Sequence, residues 1–207
     1  MAIIRRSISC REDDHVQANA QQLEGKVIIG IDPGTNFMGY SIVKITGGES
    51  HCVVMGVIKL GKFSDRYQKL KTIFERITSL IGQYRPDEMA LEAPFYGNNV
   101  QSMLKLGRAQ GVAMAAALVR DIPVYEYAPT RVKQSITGRG RASKEQVAAL
   151  LTELLHIREA PEQLDATDAL AVAVCHILSR NSPLHDSSGR SGGWEAFINQ
   201  NPNKVQK

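Results

Sequence analysis

The stretch Val27-Ile28-Ile29-Gly30-Ile31-Asp32-Pro33-Gly34-Thr35-Asn36 is an apolar run that ends in a carboxylate and a tight turn. Ile28, Ile29 and Ile31 make the run a buried strand, while Gly30 and Gly34 let another backbone or a ligand come close. Pro33-Gly34 is turn chemistry, and a second apolar run, Tyr40 to Ile45, follows at once. Asp32 therefore has two readings. It is either a turn aspartate or an acid held at a strand end and aimed into a site.

Outward from this strand, the runs Lys26–Asp32, Gly39–Ile45 and His51–Lys59, joined through Thr46-Gly47-Gly48, predict a three-strand antiparallel meander. Ser64–Gln83 carries Tyr67, Leu70, Ile73, Phe74, Ile77, Leu80 and Ile81 on a helical stripe, with most charges off it. After the break at Pro86-Asp87, Glu88–Glu92 reads as a fourth strand. A helix from about Asn98 to Arg120, a strand Ile122–Tyr127, and helices over Lys144–Leu155 and Gln163–Arg180 complete the pattern. The expectation is an α/β fold: a mixed five-stranded sheet flanked by helices. Residues 1–25 are polar without a period and read as a flexible N-terminal extension. The folded domain is expected over 26–180, with a Ser/Gly/Asn-rich flexible C-terminal tail over 181–207 that contains Trp194.

The chain has 207 residues, with 25 Lys plus Arg against 21 acids. A net charge of +4 is a weak pointer to nucleic acid, so the placement of charge matters more. Cys10, Cys52 and Cys175 form no CxxC pair, which favours reduced thiols and a cytoplasmic protein. No apolar stretch approaches the roughly 18 residues of a membrane span, and Met1–Cys10 lacks the apolar run of a secretory signal.

Two further acidic features are placed like Asp32. Glu92 ends its strand before Ala93-Pro94-Phe95-Tyr96, and Asp165 and Asp168 open a very apolar helix. Their spacing of three puts both carboxylates on one helix face. One of them capping the helix is ordinary; the second remains unexplained by capping. Converging carboxylates repel one another and raise each other's pKa, and a hard divalent ion relieves this. Oxygen ligands without His or Cys suit Mg²⁺, or Mn²⁺ in its place. Two such ions can activate water and stabilise the leaving oxygen of a phosphodiester.

Thr130–Gln146 adds Arg131, Lys133, Arg139, Arg141 and Lys144 against the single acid Glu145, with Gly138 and Gly140 between. It reads as a basic, glycine-containing loop that follows a phosphate backbone, or as a solvated surface loop. Phe95 and Tyr96 are core anchors of their loop or platforms that stack on an unpaired base. Gly107 and Gly111 let another helix approach, or pack on the sheet.

Five stretches in order carry a resemblance to a known family. They are Ile29-Gly30-Ile31-Asp32-Pro33-Gly34; Leu91-Glu92-Ala93-Pro94-Phe95; Leu104-Lys105-Leu106-Gly107-Arg108-Ala109-Gln110-Gly111; Val132-Lys133-Gln134 with Gly138-Arg139-Gly140-Arg141-Ala142-Ser143-Lys144; and Asp165-Ala166-Thr167-Asp168-Ala169-Leu170-Ala171. From about Val27 to Arg180 the chain resembles the RuvC family of Holliday-junction resolvases, which have an RNase H-like fold. The resemblance implies a homodimeric, Mg²⁺-dependent endonuclease that nicks two strands of like polarity across a four-way DNA junction, beside the RuvA–RuvB branch-migration machinery. It implies that Asp32, Glu92, Asp165 and Asp168 bind metal and catalyse, with two ions per site. Lys133 and Lys144 match basic residues near the cleaved strand, Phe95 matches an aromatic wedge, and the helix around Gly107 and Gly111 matches the dimer contact. The long N-terminal extension and the Trp194 tail depart from the family pattern without touching the acids.

Two rivals remain at this level. Asp32-Pro33-Gly34-Thr35 also fits the phosphate loop of actin-like ATPases and sugar kinases, but the second lobe and second glycine-rich loop of those enzymes are not visible. A catalytically silent junction-binding protein of the same fold is the other.

Overall fold

The structure, a computed structural model, describes residues 25–47, 49–94, 99–157 and 164–180. The elements in chain order are β1 (Val27–Asp32), β2 (Phe37–Thr46), β3 (Glu49–Lys59), α1 (Arg66–Tyr84), β4 (Glu88–Glu92), α2 (Val100–Leu118), β5 (Val124–Tyr127), α3 (Pro129–Thr137), α4 (Lys144–Leu154) and α5 (Leu164–Arg180). Backbone packing divides the chain after His176, and of the second unit only residues 177–180 are described.

One five-stranded sheet, in the order β3-β2-β1-β4-β5, organises the first unit. β1 pairs antiparallel with β2, and β2 with β3, which is the expected meander. β1–β4 and β4–β5 are parallel. β1 is thus central, which explains why it is apolar on both sides.

The two-residue period of strands then assigns the faces. Val27, Ile29 and Ile31 of β1, with Met38, Tyr40 and Ile42 of β2 and Met89 and Leu91 of β4, join one core with Ile73, Ile77, Leu80 and Ile81 of α1 and Ala109, Ala113, Ala116 and Ala117 of α2. The alternate residues (Gly30 and Asp32, Gly39 and Ser41, Glu88, Ala90 and Glu92) face the other way, toward α5. Gly30 and Gly39 are required there. A Cβ on Gly30 would collide with the Ala169 carbonyl oxygen, and one on Gly39 with the Asp165 carbonyl oxygen. Ser41 Oγ donates a hydrogen bond to the Ala169 carbonyl at 3.0 Å. A row of small residues therefore lets α5 lie against the sheet at backbone distance.

Two expectations need correction. On α1, Tyr67 and Phe74 are on the open side, 65% and 41% exposed, because the buried stripe is narrower and runs on to Tyr84. The segment Thr130–Gln146 is not a loop. Pro129 sets the first turn of α3, Gly138 ends that helix with a left-handed φ of 71°, and Ser143 opens α4 with a capping box to Gln146. Only the short turn carrying Arg139 and Arg141 is irregular.

Candidate active site

Asp32 follows Ile31, which pairs with Leu91 of β4, so Asp32 and Glu92 end adjacent parallel strands at the same level. Both point to the α5 face. Gly39, opposite Asp32 on β2, admits the first turn of α5 and with it Asp165. One helical turn further, Asp168 stands on the same side. Carboxylate oxygens of Asp32, Asp165 and Asp168 come within 4.8 Å of one another. Glu92 lies outside that trio but acts on it through its charge.

Burial and repulsion then shape the titration. Burial, with the charges of Glu92, Asp168 and Asp165 added, raises the Asp32 pKa to about 8 against the pull of Lys144. Glu92 is raised by burial and by Asp168, with Lys144 and Lys133 opposing. Asp168 is raised by burial, although Lys144 hydrogen-bonds to it. Lys144, the first residue of α4, ion-pairs with Asp168 and reaches Asp165 at 4.0 Å. Burial disfavours its charge, but the Asp168 hydrogen bond and the surrounding carboxylates win, leaving its pKa raised. An all-oxygen cluster in which Asp32, Glu92 and Asp168 resist ionising fits a hard divalent cation.

The other basic residues divide by role. Lys133, partly buried on α3, belongs to the electrostatics of Glu92 and Asp168. The Arg131 guanidinium lies 5.5 Å from the Tyr127 ring centroid, so part of its work is packing. Arg139 and Arg141 are exposed on the α3–α4 turn. Gly107 and Gly111 are exposed on α2, and a Cβ at either would meet nothing within 4 Å. Packing on the sheet therefore does not account for these glycines; Ala109, Ala113 and Ala116 make that contact instead. Phe95 and Tyr96 lie outside the described residues, as do most of the N-terminal extension and the whole tail with Trp194.

Sequence reasoning overlooked a polar network behind the site. His176, fully buried on α5, lies between Tyr127 Oη at 2.7 Å and Glu88 Oε2 at 2.6 Å. Glu88 Oε1 in turn meets Lys26 Nζ at 2.5 Å. Burial leads the effects that push the Tyr127 phenol to about 12, so it keeps its proton. The Glu88 carboxylate can only accept, so Nε2–H donates to it, and in a neutral imidazole Nδ1 then accepts from Tyr127 Oη. The signal was present: a histidine inside the apolar run Ala171–Ile177 must bring a partner with it. The network ties α5 to β4 and β5, the strands that carry Glu92 and Tyr127.

The family model described as "Crossover junction endodeoxyribonuclease RuvC" matches residues 28–176, from β1 to α5. The chain belongs to the RuvC family. The RuvC protein of Cytophaga hutchinsonii is 54% identical over 191 residues, covering 92% of this chain and 94% of that one. The solved Thermus thermophilus RuvC structure is 31% identical with a TM-score of 0.68, over 74% of this chain and 95% of that one. A second T. thermophilus RuvC structure, in complex with Holliday junction substrate, has the same TM-score of 0.68 at 29% identity, over 74% and 94% of the two chains. The RuvC match contains Asp32, Glu92, Asp165 and Asp168, and with it the sheet is RNase H-like as expected. The kinase reading of the Asp-Pro-Gly-Thr turn yields to it.

Proposed function

We propose that this chain is a Holliday-junction-resolving endonuclease that hydrolyses phosphodiesters at the Asp32–Asp165–Asp168 cluster, with Glu92 completing the acidic set. The observation that carries the reading is the convergence of three carboxylates within 4.8 Å in a RuvC-family chain. The carboxylates would hold Mg²⁺, with Mn²⁺ as a substitute and two ions per site, and the bound metal supplies an activated water and charge stabilisation for the leaving oxygen. Asp32 and Glu92, fixed on adjacent strands, set the position of the reacting phosphate. Asp165 and Asp168 close the set from α5. Lys144 and Lys133 offset the excess negative charge when a phosphate enters beside the acids, and Arg139 and Arg141 contact the flanking backbone. Phe95 and Tyr96 contact junction bases, and Arg131 contributes through the α3 surface.

Resolution requires two nicks in strands of like polarity, so two sites must act on one junction. A two-fold dimer supplies them. The exposed stripe on α2 formed by Leu104 (52% exposed), Gly107, Gly111 and Leu118 (56% exposed) is the contact we assign to it, since its small residues permit close helix approach. Operation with a RuvA–RuvB complex in the cytoplasm belongs to the same proposal; among the described residues no helix is long and apolar enough to cross a membrane.

The deciding experiment incubates the full chain with a synthetic four-way junction and Mg²⁺, beside a linear duplex of the same sequence. Symmetric nicking of the junction alone is expected, abolished by Glu92→Gln with junction binding retained. Equal cutting of the duplex, or full activity in Glu92→Gln, would overturn the assignment.

A further inference from the structure

On the opposite face of the sheet from the acids, α1 and α2 enclose a cleft of about 680 Å³ beside the Gly34–Asn36 turn. Its wall includes buried Leu60 and Ile73, and its lining carries Arg66, Lys69, Lys105 and Arg108 with no acidic residue. Each helix contributes two cations three residues apart, a spacing that keeps both on one side of the helix. Lys69 Nζ donates to the Thr35 carbonyl at 2.9 Å, so it also braces the turn. Arg66 rests against the Tyr67 ring, 4.9 Å from its centroid. Among the described residues Lys105 and Arg108 form no ion pair. Four cations gathered around a cleft whose lining holds no acid repel one another, and an anion relieves that repulsion.

The cleft's place in the fold selects the anion. Gly34 is two residues from Asp32, so the turn that borders the cleft is the same turn that ends the catalytic strand. A DNA strand crossing the strand ends has Lys133, Lys144, Arg139 and Arg141 on the α5 side and this cleft on the other. We propose that the α1–α2 cleft is a second DNA-backbone site, taking phosphates of the junction strand as it leaves the carboxylates over the Asp32–Asn36 turn. The assignment rests on the junction-resolving reading above and extends it from one cationic bank to two. The walls then hold the strand by charge, while the apolar interior accommodates sugar edges.

Junction binding by the full chain, measured in EDTA so that nothing is cut, tests this through its salt dependence. Each phosphate contact adds about 0.9 to the slope of log affinity against log salt. The double variant Lys105→Gln/Arg108→Gln should lower the slope by about 2 and weaken binding roughly tenfold or more at 0.1 M salt. Arg66→Gln, on the other helix and away from the α2 stripe, should lower it by about 1. Thermal midpoints and sedimentation of each variant report folding and dimerisation. An unchanged slope in both variants overturns the proposal, even if affinity falls, because the loss then comes through fold or assembly. So does an unchanged junction slope together with a pyrophosphate-induced thermal shift that only the wild type shows, which would reassign the cleft to a small anion. Failure of the wild type to bind a four-way junction at all removes the resolvase reading itself, and this is a different result from a silent cleft.

Discussion

Asp32→Asn should make the metal-free protein more stable, and the gain should grow with pH. In the folded chain the Asp32 carboxyl has its pKa raised from 3.8 to about 8, chiefly by burial and then by Glu92, Asp168 and Asp165. Between those values the folded state holds a proton that the unfolded state has released. Stability therefore falls as pH rises through that window and levels off above it. At about 1.36 kcal/mol per unit, the cost approaches an upper limit of roughly 5 kcal/mol at pH 8. Asparagine has nearly the same shape and carries no charge, so it removes this slope. With roughly 2–4 °C of melting shift per kcal/mol for a chain of this size, a rise of up to about 10–20 °C at pH 8 is the ceiling. Glu92 and Asp168, also raised, leave a residual slope. Differential scanning calorimetry in EDTA from pH 5 to 8.5 measures it, and excess Mg²⁺ should stabilise the wild type far more than the variant. A variant no more stable than wild type at pH 8, or a gain that is the same at pH 5, refutes the electrostatic account of the site.

The remaining predictions concern the groups around that aspartate. Lys144→Met removes the partner of Asp168 and the cation that lowers the Asp32 and Glu92 pKa values, so junction cleavage should fall on the order of 100-fold and the acid limb of its pH profile should move up. An unmoved acid limb would separate Lys144 from the carboxylates. Gly39→Ala places a methyl against the Asp165 backbone; overpacking should cost about 1–3 kcal/mol, and cleavage should drop by more than the melting shift accounts for. Comparing cleavage rate and melting point in one preparation checks it. His176→Ala leaves Tyr127 and Glu88 without their shared partner and opens a cavity, which should cost about 2–5 kcal/mol in urea unfolding. Wild-type stability in that variant would show the network to be dispensable.

Much of this was legible because the chemistry is written at element ends. Asp32 and Glu92 each close an apolar run, and the spacing of Asp165 and Asp168 needs only a helix to bring them to one face. The adjacency of β1 and β4 was not legible. It is a pairing between segments some sixty residues apart, and no local pattern encodes which strands become neighbours. α3 was missed for a related reason: Gly138 and Gly140 weigh as loop residues in composition, yet Gly138 serves as a helix terminator and Pro129 as a helix start. Tyr67 and Phe74 fit the period of α1 but not the width of the surface that α1 covers. His176 in its apolar run signalled a buried partner, but which partners was hidden, because Glu88 and Tyr127 sit alone in their own strands and meet it only across the sheet.

The glycines at positions 30 and 39 have a consequence for how such a centre can change over time. They carry no side chain of their own, yet they set how near α5 lies to the strands. An acid can be exchanged for another oxygen donor and leave the helix where it is. A single methyl at either glycine collides with the backbone of the turn of α5 that carries Asp165 and Asp168, so those two acids are expected to shift with it. Heritable variation is therefore expected to be narrower at these two silent positions than the chemistry of their side chains would suggest. A transplant of this centre into another sheet would have to begin by copying their emptiness.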